Sequence, residues 1–341
     1  MYVHQQMLLS RRSSLLIRRT FFRLFLHRSA VTMSTSLPVV SPSQTRVGWI
    51  GTGVMGKSMA AHILSAGYSL TVFNRTASKA QHLISLGAKL ADSPISVARC
   101  SDVVFLIVGY PSDVRQVVLD PVTGVVPGLF PGSVIVDMTT SDPRLSQEID
   151  EATKSVDCFS VDAPVSGGDR GAKEGILSIF AGGDESVVRR ISPLFDCLGK
   201  VNYMGQSGAG QHAKLGNQIA IATTMLGLVE GMLYAHKTGL DVSLWMDAIS
   251  KGAAGSKSLE LYGKRILEGD MAAGFFIHHF VKDLGICLKE CKAMGLKLPG
   301  LALTQEFYTT LVATGDDDLG TQAIILALER LNNTSIRRKT T

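Results

Sequence analysis

Residues 48–76 read GWIGTGVMGKSMAAHILSAGYSLTVFNRT, and this stretch decides the fold. Residues 47–50 form a short apolar run, as expected of a buried strand. Gly51, Gly53 and Gly56 follow in G-x-G-x-x-G spacing. A helical pattern comes next, with apolar residues at Met55, Met59, Ile63 and Leu64, closed by Gly67. A second apolar run at 70–73 completes a β-α-β unit of about thirty residues, the size of a dinucleotide-binding fingerprint. The spacing has a physical reading. Gly51 permits the strand-to-helix turn, Gly53 lets backbone approach a pyrophosphate, and Gly56 lets the helix lie close on the sheet. The free N–H groups at the helix start then face phosphate, with Thr52, Val54 and Met55 of this turn among the expected cofactor-binding residues.

The end of the second strand bears on which dinucleotide. An Asp or Glu there accepts hydrogen bonds from the ribose 2′-hydroxyl of NAD. This chain has Asn74-Arg75-Thr76 instead, and its first acidic residue is Asp92. A guanidinium pairs with a 2′-phosphate that a carboxylate would repel. The expected cofactor is therefore NADP, with NAD as the alternative.

The 341 residues are 45% apolar, enough for a large core and two domains. Five scattered cysteines without a C-x-x-C pair fit a reducing interior and argue against a disulfide framework or a metal site. Residues 1–37 differ from the rest. Arg11, Arg12, Arg18, Arg19, Arg23 and Arg28 occur among serines with no acidic residue. On a helical wheel most of these arginines oppose Leu16, Ile17, Phe21, Leu24 and Phe25, although Leu15 and Phe22 intrude. Such a segment reads as an organelle transit peptide, mitochondrial rather than plastid. Without those six arginines, the 34 basic residues become 28 against 29 acidic ones. The basic charge is thus an address and not a nucleic-acid footprint.

A linker is expected at 38–45, and an α/β Rossmann-type domain at 46–206. Within it, helical pattern appears near 76–86, with strands near 88–90, 102–108, 133–137 and 198–204. Residues 156–180 carry two more strands around a glycine-rich loop, DAPVSGGDRGAKEG. The turn with Tyr110 and Pro111 lies at a strand's carboxyl end, where ligands of open α/β sheets sit. The strand at 133–137 ends in Met138-Thr139-Thr140, whose hydroxyls suit the nicotinamide half of the cofactor, while Thr140, Ser141 or Asp142 equally suits a helix N-cap. From 207 to 331 the period is helical throughout, giving an all-α domain for substrate binding and assembly. It begins with a long apolar interdomain helix at 208–237, which suits a buried interface better than a membrane span. A basic tail at 332–341 ends the chain.

Three clusters beyond the fingerprint could carry chemistry. Ser166, Gly167 and Gly168 follow a strand, and their hydroxyl and N–H groups suit either an anion-binding nest or a structural turn. Gly205, Gly208 and Gly210 precede Lys214, Asn217 and Gln218, whose helical spacing aims all three at one spot. A lysine in a desolvated pocket gives up its proton readily, which suits acid-base work at a carbonyl. Lys282-Asp283 lies in a helical pattern amid apolar neighbours, as a cofactor-orienting pair or a plain ion pair. His212, His278 and His279 have no carboxylate at telling spacing.

GTGVMG, DAPVSGG, the G-x-x-G-x-G-x-x-x-K run and the late Lys-Asp together resemble the four signature segments of the β-hydroxyacid dehydrogenases. The likeness spans about 46–331 and is strongest to the plant mitochondrial 3-hydroxyisobutyrate dehydrogenase-like branch. It implies that Lys214 is the general acid/base and that Ser166, Gly167 and Gly168 hold a substrate carboxylate. Lys282 would lie near the nicotinamide, fixed by Asp283, and Tyr110, Pro111 and Thr140 would touch the cofactor. Two departures stand out. Many relatives carry Asn four residues after the lysine, where this chain has Gln218 and keeps Asn217. The Asn74-Arg75-Thr76 segment looks like the NADPH-using reductases. The implied activity is hydride transfer between a nicotinamide and a small β-hydroxy acid or semialdehyde, 3-hydroxyisobutyrate by nearest likeness. Reduction of glyoxylate or succinic semialdehyde with NADPH is the alternative, and a non-catalytic cofactor-binding adaptor is the reading from another class. A homo-oligomer, dimer or tetramer, is expected from the apolar helix.

Overall fold

A computed structural model describes residues 40–336. The leader expected at 1–37 and the residues from 337 onward lie outside the described residues.

Strand β1 (Arg46–Ile50), helix α1 (Gly56–Ser65) and strand β2 (Ser69–Phe73) form the expected β-α-β unit. The next elements are α2 (Gln81–Ser85), β3 (Lys89–Leu90), α3 (Pro94–Ala98), β4 (Val103–Leu106), α4 (Pro111–Leu119), β5 (Val134–Asp137), α5 (Pro143–Lys154) and β6 (Phe159–Asp162). These six strands run parallel in the order β3-β2-β1-β4-β5-β6, the doubly wound arrangement of dinucleotide-binding folds. The central strands are apolar without alternation because both faces are covered. Trp49 and Phe105 pack with Met59 and Ile63 of α1 on one face. Ile50 and Leu106 pack with Val97, Val114 and Leu145, from α3, α4 and α5, on the other.

Beyond β6 the sheet continues with β7 (Val165–Ser166), β8 (Leu177–Gly183) and β9 (Gly199–Gly205). β8 runs antiparallel to β6 and β7, and β9 parallel to β8. The segment expected as a glycine-rich loop is instead β7 followed by a helix, α6 (Gly168–Glu174), with Gly171 and Ala172 buried. Low helix propensity is overridden there by packing against α1 and β8. Helices α7 (Glu185–Arg190) and α8 (Ser192–Asp196) lie between β8 and β9. Residues 40–45, read as linker, make a turn, and Val40 packs into the sheet's core.

The rest is helical, as the fold-class reading anticipated: α9 (Ala209–Lys237), α10 (Val242–Ile249), α11 (Lys257–Glu268), α12 (Ile277–Ala293), α13 (Pro299–Ala313) and α14 (Ile324–Leu331). These helices share a separate apolar core around Met225, Val229, Phe280, Leu284 and Tyr308. Among the described residues, α9 alone is long and apolar enough to cross a membrane by length and composition. Its apolarity has a local cause, since it packs against β8 as well as α12, α13 and α14. At the far end Ile336 is buried, and its N–H donates to Glu329.

Candidate active site

The carboxyl ends of β4, β5 and β6 lie against α12 or the start of α9, with Gly109 beside His279, Thr140 bonded to Lys282 and Asp162 bonded to Gly208. At β1 the chain turns on Gly51, whose φ of 95° favours glycine. A Cβ there would fall 2.1 Å from the Ile107 carbonyl oxygen, and one on Gly56 would fall 2.1 Å from the Gly51 carbonyl oxygen. Gly53 differs, because no protein atom lies within 4 Å of where its Cβ would be. The adjoining helix start has no side-chain cap and no acidic residue in its first turn. The Thr52 hydroxyl is buried without a partner. Open space over Gly53, uncapped N–H groups and a waiting hydroxyl fit a dinucleotide pyrophosphate.

At the end of β2, Asn74 looks inward. Its Oδ1 accepts from Thr52 N at 2.9 Å and its Nδ2 donates to the Thr76 carbonyl at 2.9 Å, so its amide braces the fingerprint turn. Arg75 is 87% exposed and pairs loosely with Asp113 at 3.6 Å, which leaves the guanidinium able to swing. Tyr110 stands at the start of α4, where its backbone N–H donates to Asp113, with Pro111 in the first turn. Its ring lies 5.7 Å from that of His279.

A second, buried arrangement begins with Asp162. Its carboxylate accepts N–H groups from Gly208 and Gln211, both at 2.8 Å, and so caps α9 against β6. Gly210 is obligatory at this contact, since a Cβ would fall 2.3 Å from the Phe180 carbonyl oxygen. Gln211 then reaches the loop after β5. Its Oε1 accepts from Ser141 N and its Nε2 donates to the Thr139 carbonyl, both at 2.8 Å. Asp142 serves as the cap of α5, accepting from Arg144 N, and is paired with Lys289 of α12.

One turn along α9, Lys214 is 6% exposed and donates to Gln218 Oε1 at 2.9 Å. The same oxygen accepts from Asn217 Nδ2 at 2.9 Å. Gln218 Nε2 donates to Asp283 Oδ2 at 2.6 Å, and Ser166 Oγ donates to Asn217 Oδ1 at 3.3 Å. Lys282 lies 2.8 Å from Asp283 Oδ1 and donates to the Thr140 carbonyl at 2.6 Å. Its ammonium is not aligned on Oδ1 as a hydrogen bond, so that oxygen rests on the lysine's charge alone. Ser166, Asn217, Gln218, Lys214, Asp283, Lys282 and Thr140 thus form one continuous network. Gly167 and Gly168, with φ of 136° and 63°, turn the chain beside it.

Burial shapes the titration here. Desolvation lowers the Lys214 amine to about 8, with Lys282 pushing the same way and Asp283 opposing. Burial, reinforced by His278 and Lys282, drives His279 down to about 4, so its ring is neutral at physiological pH. Asp137 and Asp162 are neighbours on β5 and β6. Burial raises them to about 7 and about 6 respectively. Gln211 and Asp137 are the parts that sequence reasoning passed over, whereas His279 was weighed there and set aside for want of a carboxylate partner. Gln211 lies three residues before Lys214. Carrying that helical face back one turn would have found it; Asp137 ends a strand, and its burial is set by tertiary packing.

A doubly wound sheet, a glycine turn open to phosphate and a desolvated amine define an NAD(P)-dependent oxidoreductase. Comparison with known proteins makes this specific. Residues 46–219 match the family described as the NAD binding domain of 6-phosphogluconate dehydrogenase. Residues 208–328 match the one described as NAD-binding of NADP-dependent 3-hydroxyisobutyrate dehydrogenase. A relative from Arabidopsis thaliana, named probable 3-hydroxyisobutyrate dehydrogenase-like 1, mitochondrial, is 64% identical over 92% of this chain and 94% of its own. The 2-hydroxy-3-oxopropionate reductase of Escherichia coli is 36% identical over 84% of this chain and 98% of its own. Among solved structures, a Mycobacterium tuberculosis 3-hydroxyisobutyrate dehydrogenase with L-serine has a TM-score of 0.76 at 26% identity. It covers 83% of this chain and 99% of its own. The chain belongs to the 3-hydroxyisobutyrate dehydrogenase-like family of NAD(P)-dependent hydroxyacid dehydrogenases.

Proposed function

We propose that this enzyme interconverts a small β-hydroxy acid and its semialdehyde, with 3-hydroxyisobutyrate as the preferred acid and NADP(H) as the preferred cofactor, in mitochondria. The observation that carries the reading is the Lys214 amine, desolvated and joined to Ser166 through Gln218 and Asn217. Residues 46–206 supply the cofactor half. Gly51 to Gly56 hold the pyrophosphate, Arg75 the 2′-phosphate, and Tyr110, Pro111 and Thr140 line the remainder, joined by Lys282 and Asp283 from the helical half. Residues 207–331 supply the amine and the assembly surface of a homo-oligomer. When bound, the nicotinamide donates or accepts hydride at the carbon bearing the substrate oxygen.

The chain's own contribution is alignment and proton transfer. Ser166 and the Gly167 and Gly168 N–H groups grip the carboxylate, and Asn217 steadies the substrate. Lys214 passes a proton to the carbonyl oxygen in reduction and takes it from the hydroxyl in oxidation. An amine lowered to about 8 supplies both forms near neutral pH. The compartment is supported by the basic leader and by the name of the Arabidopsis relative.

The deciding assay is a panel of small hydroxy acids and semialdehydes with both cofactors, run beside Lys214→Ala. Turnover of the variant is expected to fall by about two to four orders of magnitude with cofactor binding kept. Near-normal turnover removes Lys214 from the mechanism. The exposed Arg75 and absent strand-end carboxylate favour a second reading, NADPH-dependent reduction of glyoxylate or succinic semialdehyde. Faster turnover of those aldehydes in the same panel selects it.

A further inference from the structure

Two amides stand side by side on α9, and their surroundings differ. Gln218 is 2% exposed, and its carbonyl oxygen already accepts from both Lys214 and Asn217. Its NH2 is committed to Asp283 at 2.6 Å. Asn217 is only half-buried and reaches Ser166, the residue at the mouth of the glycine turn. The orientation of the Gln218 amide is also dictated. A carboxylate only accepts, so Asp283 requires the NH2 side, and the carbonyl must then face Lys214.

On the reading of Lys214 as the proton carrier, we propose that the two amides divide the work. Asn217 meets the substrate, and Gln218 is a positioning residue acting through Lys214. One N–H of the lysine stays on Gln218 Oε1 in both protonation states. The amine is then tethered, and its exchangeable proton or lone pair is left for the side facing Asn217 and Ser166. Gln218 also relays Asp283 to the amine without direct contact. An unmediated lysine-carboxylate pair would lock the lysine as an ammonium. The titratable and charged groups acting on the amine are Asp283, Lys282 and Cys287, all on α12. Only Gln218 stands between one of them and Lys214 in the hydrogen-bonded chain.

The test crosses two variants in the reduction direction, where activity declines as Lys214 loses its proton. Gln218→Met keeps the length and removes the acceptor. The ammonium then loses a stronger hydrogen bond than the neutral amine does, and the alkaline limb of the pH-rate profile moves down by about half a unit to one unit. Turnover drops with little change in KM. Gln218→Glu restores an acceptor facing Lys214 whether or not it holds a proton toward Asp283, so its limb lies at or above that of the parent enzyme. Asn217→Ala does the reverse, raising KM with the limb in place. A raised KM with an unmoved limb in Gln218→Met overturns the assignment. If the methionine chain does not fold, Gln218→Glu decides alone, and a limb below the parent's overturns it. The Lys214 amine can also be titrated without turnover, by NMR of labelled lysines assigned with Lys214→Ala. Its pKa falls in the methionine variant if the inference holds and stays put if it fails. That readout survives if the substrate has been misjudged, whereas an unimpaired Lys214→Ala sinks the functional reading itself.

Discussion

The two halves of the cleft are built from different materials. The fingerprint turn offers backbone: glycines, uncapped N–H groups and one unpartnered hydroxyl, with open space over Gly53. The amine side offers side chains, and nearly every polar atom there is already bonded to another, from Ser166 through Lys214 to Thr140. A backbone cradle binds a large, invariant anion and needs little tuning. A side-chain network sets protonation and direction, and each member changes its neighbours. Errors in the first half should therefore be steric and local, and errors in the second electrostatic and shared.

Two glycine substitutions give the largest expected contrast. Gly51→Ala forces a Cβ against the Ile107 carbonyl at a backbone conformation suited to glycine, and should cost about 4 kcal/mol or more, or the fold itself. Gly53→Ala meets no protein atom and should melt like the parent, yet bind NADPH about tenfold or more weakly. Thermal melts beside cofactor titrations separate the two. Equal loss of stability in both would show that Gly53 shapes the turn and reserves no space.

A smaller effect probes the rim of the same half. Arg75→Ala removes an exposed guanidinium that pairs loosely with Asp113. NADPH affinity should fall by about tenfold, discounted for solvent screening, with NADH affinity unchanged. Loss of both affinities alike would make Arg75 part of the cradle and not a reader of the 2′-phosphate.

The same contrast explains what could be read from the chain in advance. Backbone cradles leave glycines at fixed spacing, so the β-α-β unit and its turn were legible from residues 48–76. Lys214, Asn217 and Gln218 were legible as a group because helical period places them together. Their link to Asp283 crosses 65 positions and is made by tertiary packing, which no local period encodes. Helix α6 was hidden by its glycines. Helices α3, α4 and α5 each open on a proline in the first turn, at Pro94, Pro111 and Pro143. That signal was available, since a fixed φ and missing N–H suit the first helical position.

The smallest effect lies at the seam, in a residue belonging to neither material. Asp137 is buried at the end of β5, with Oδ1 accepting from Thr139 N at 2.9 Å and Oδ2 without a partner. Burial raises it to about 7, and its neighbour Asp162 to about 6. Both lie above the ordinary carboxylate value, so the folded chain holds protons that the unfolded chain has released. Stability from these two groups is therefore present below about pH 4 and is lost as pH climbs toward 7. Asp137→Asn removes one share of that loss but buries an NH2 with no acceptor. The variant should melt below the parent at pH 5, and the gap should close or reverse by pH 8. Each kcal/mol is worth about 1–2 °C in a chain of 341 residues. Parallel melting curves across that range would mean that Asp137 keeps its charge, held by the Lys282 ammonium on the other side of the seam, and would tie the two halves electrostatically after all.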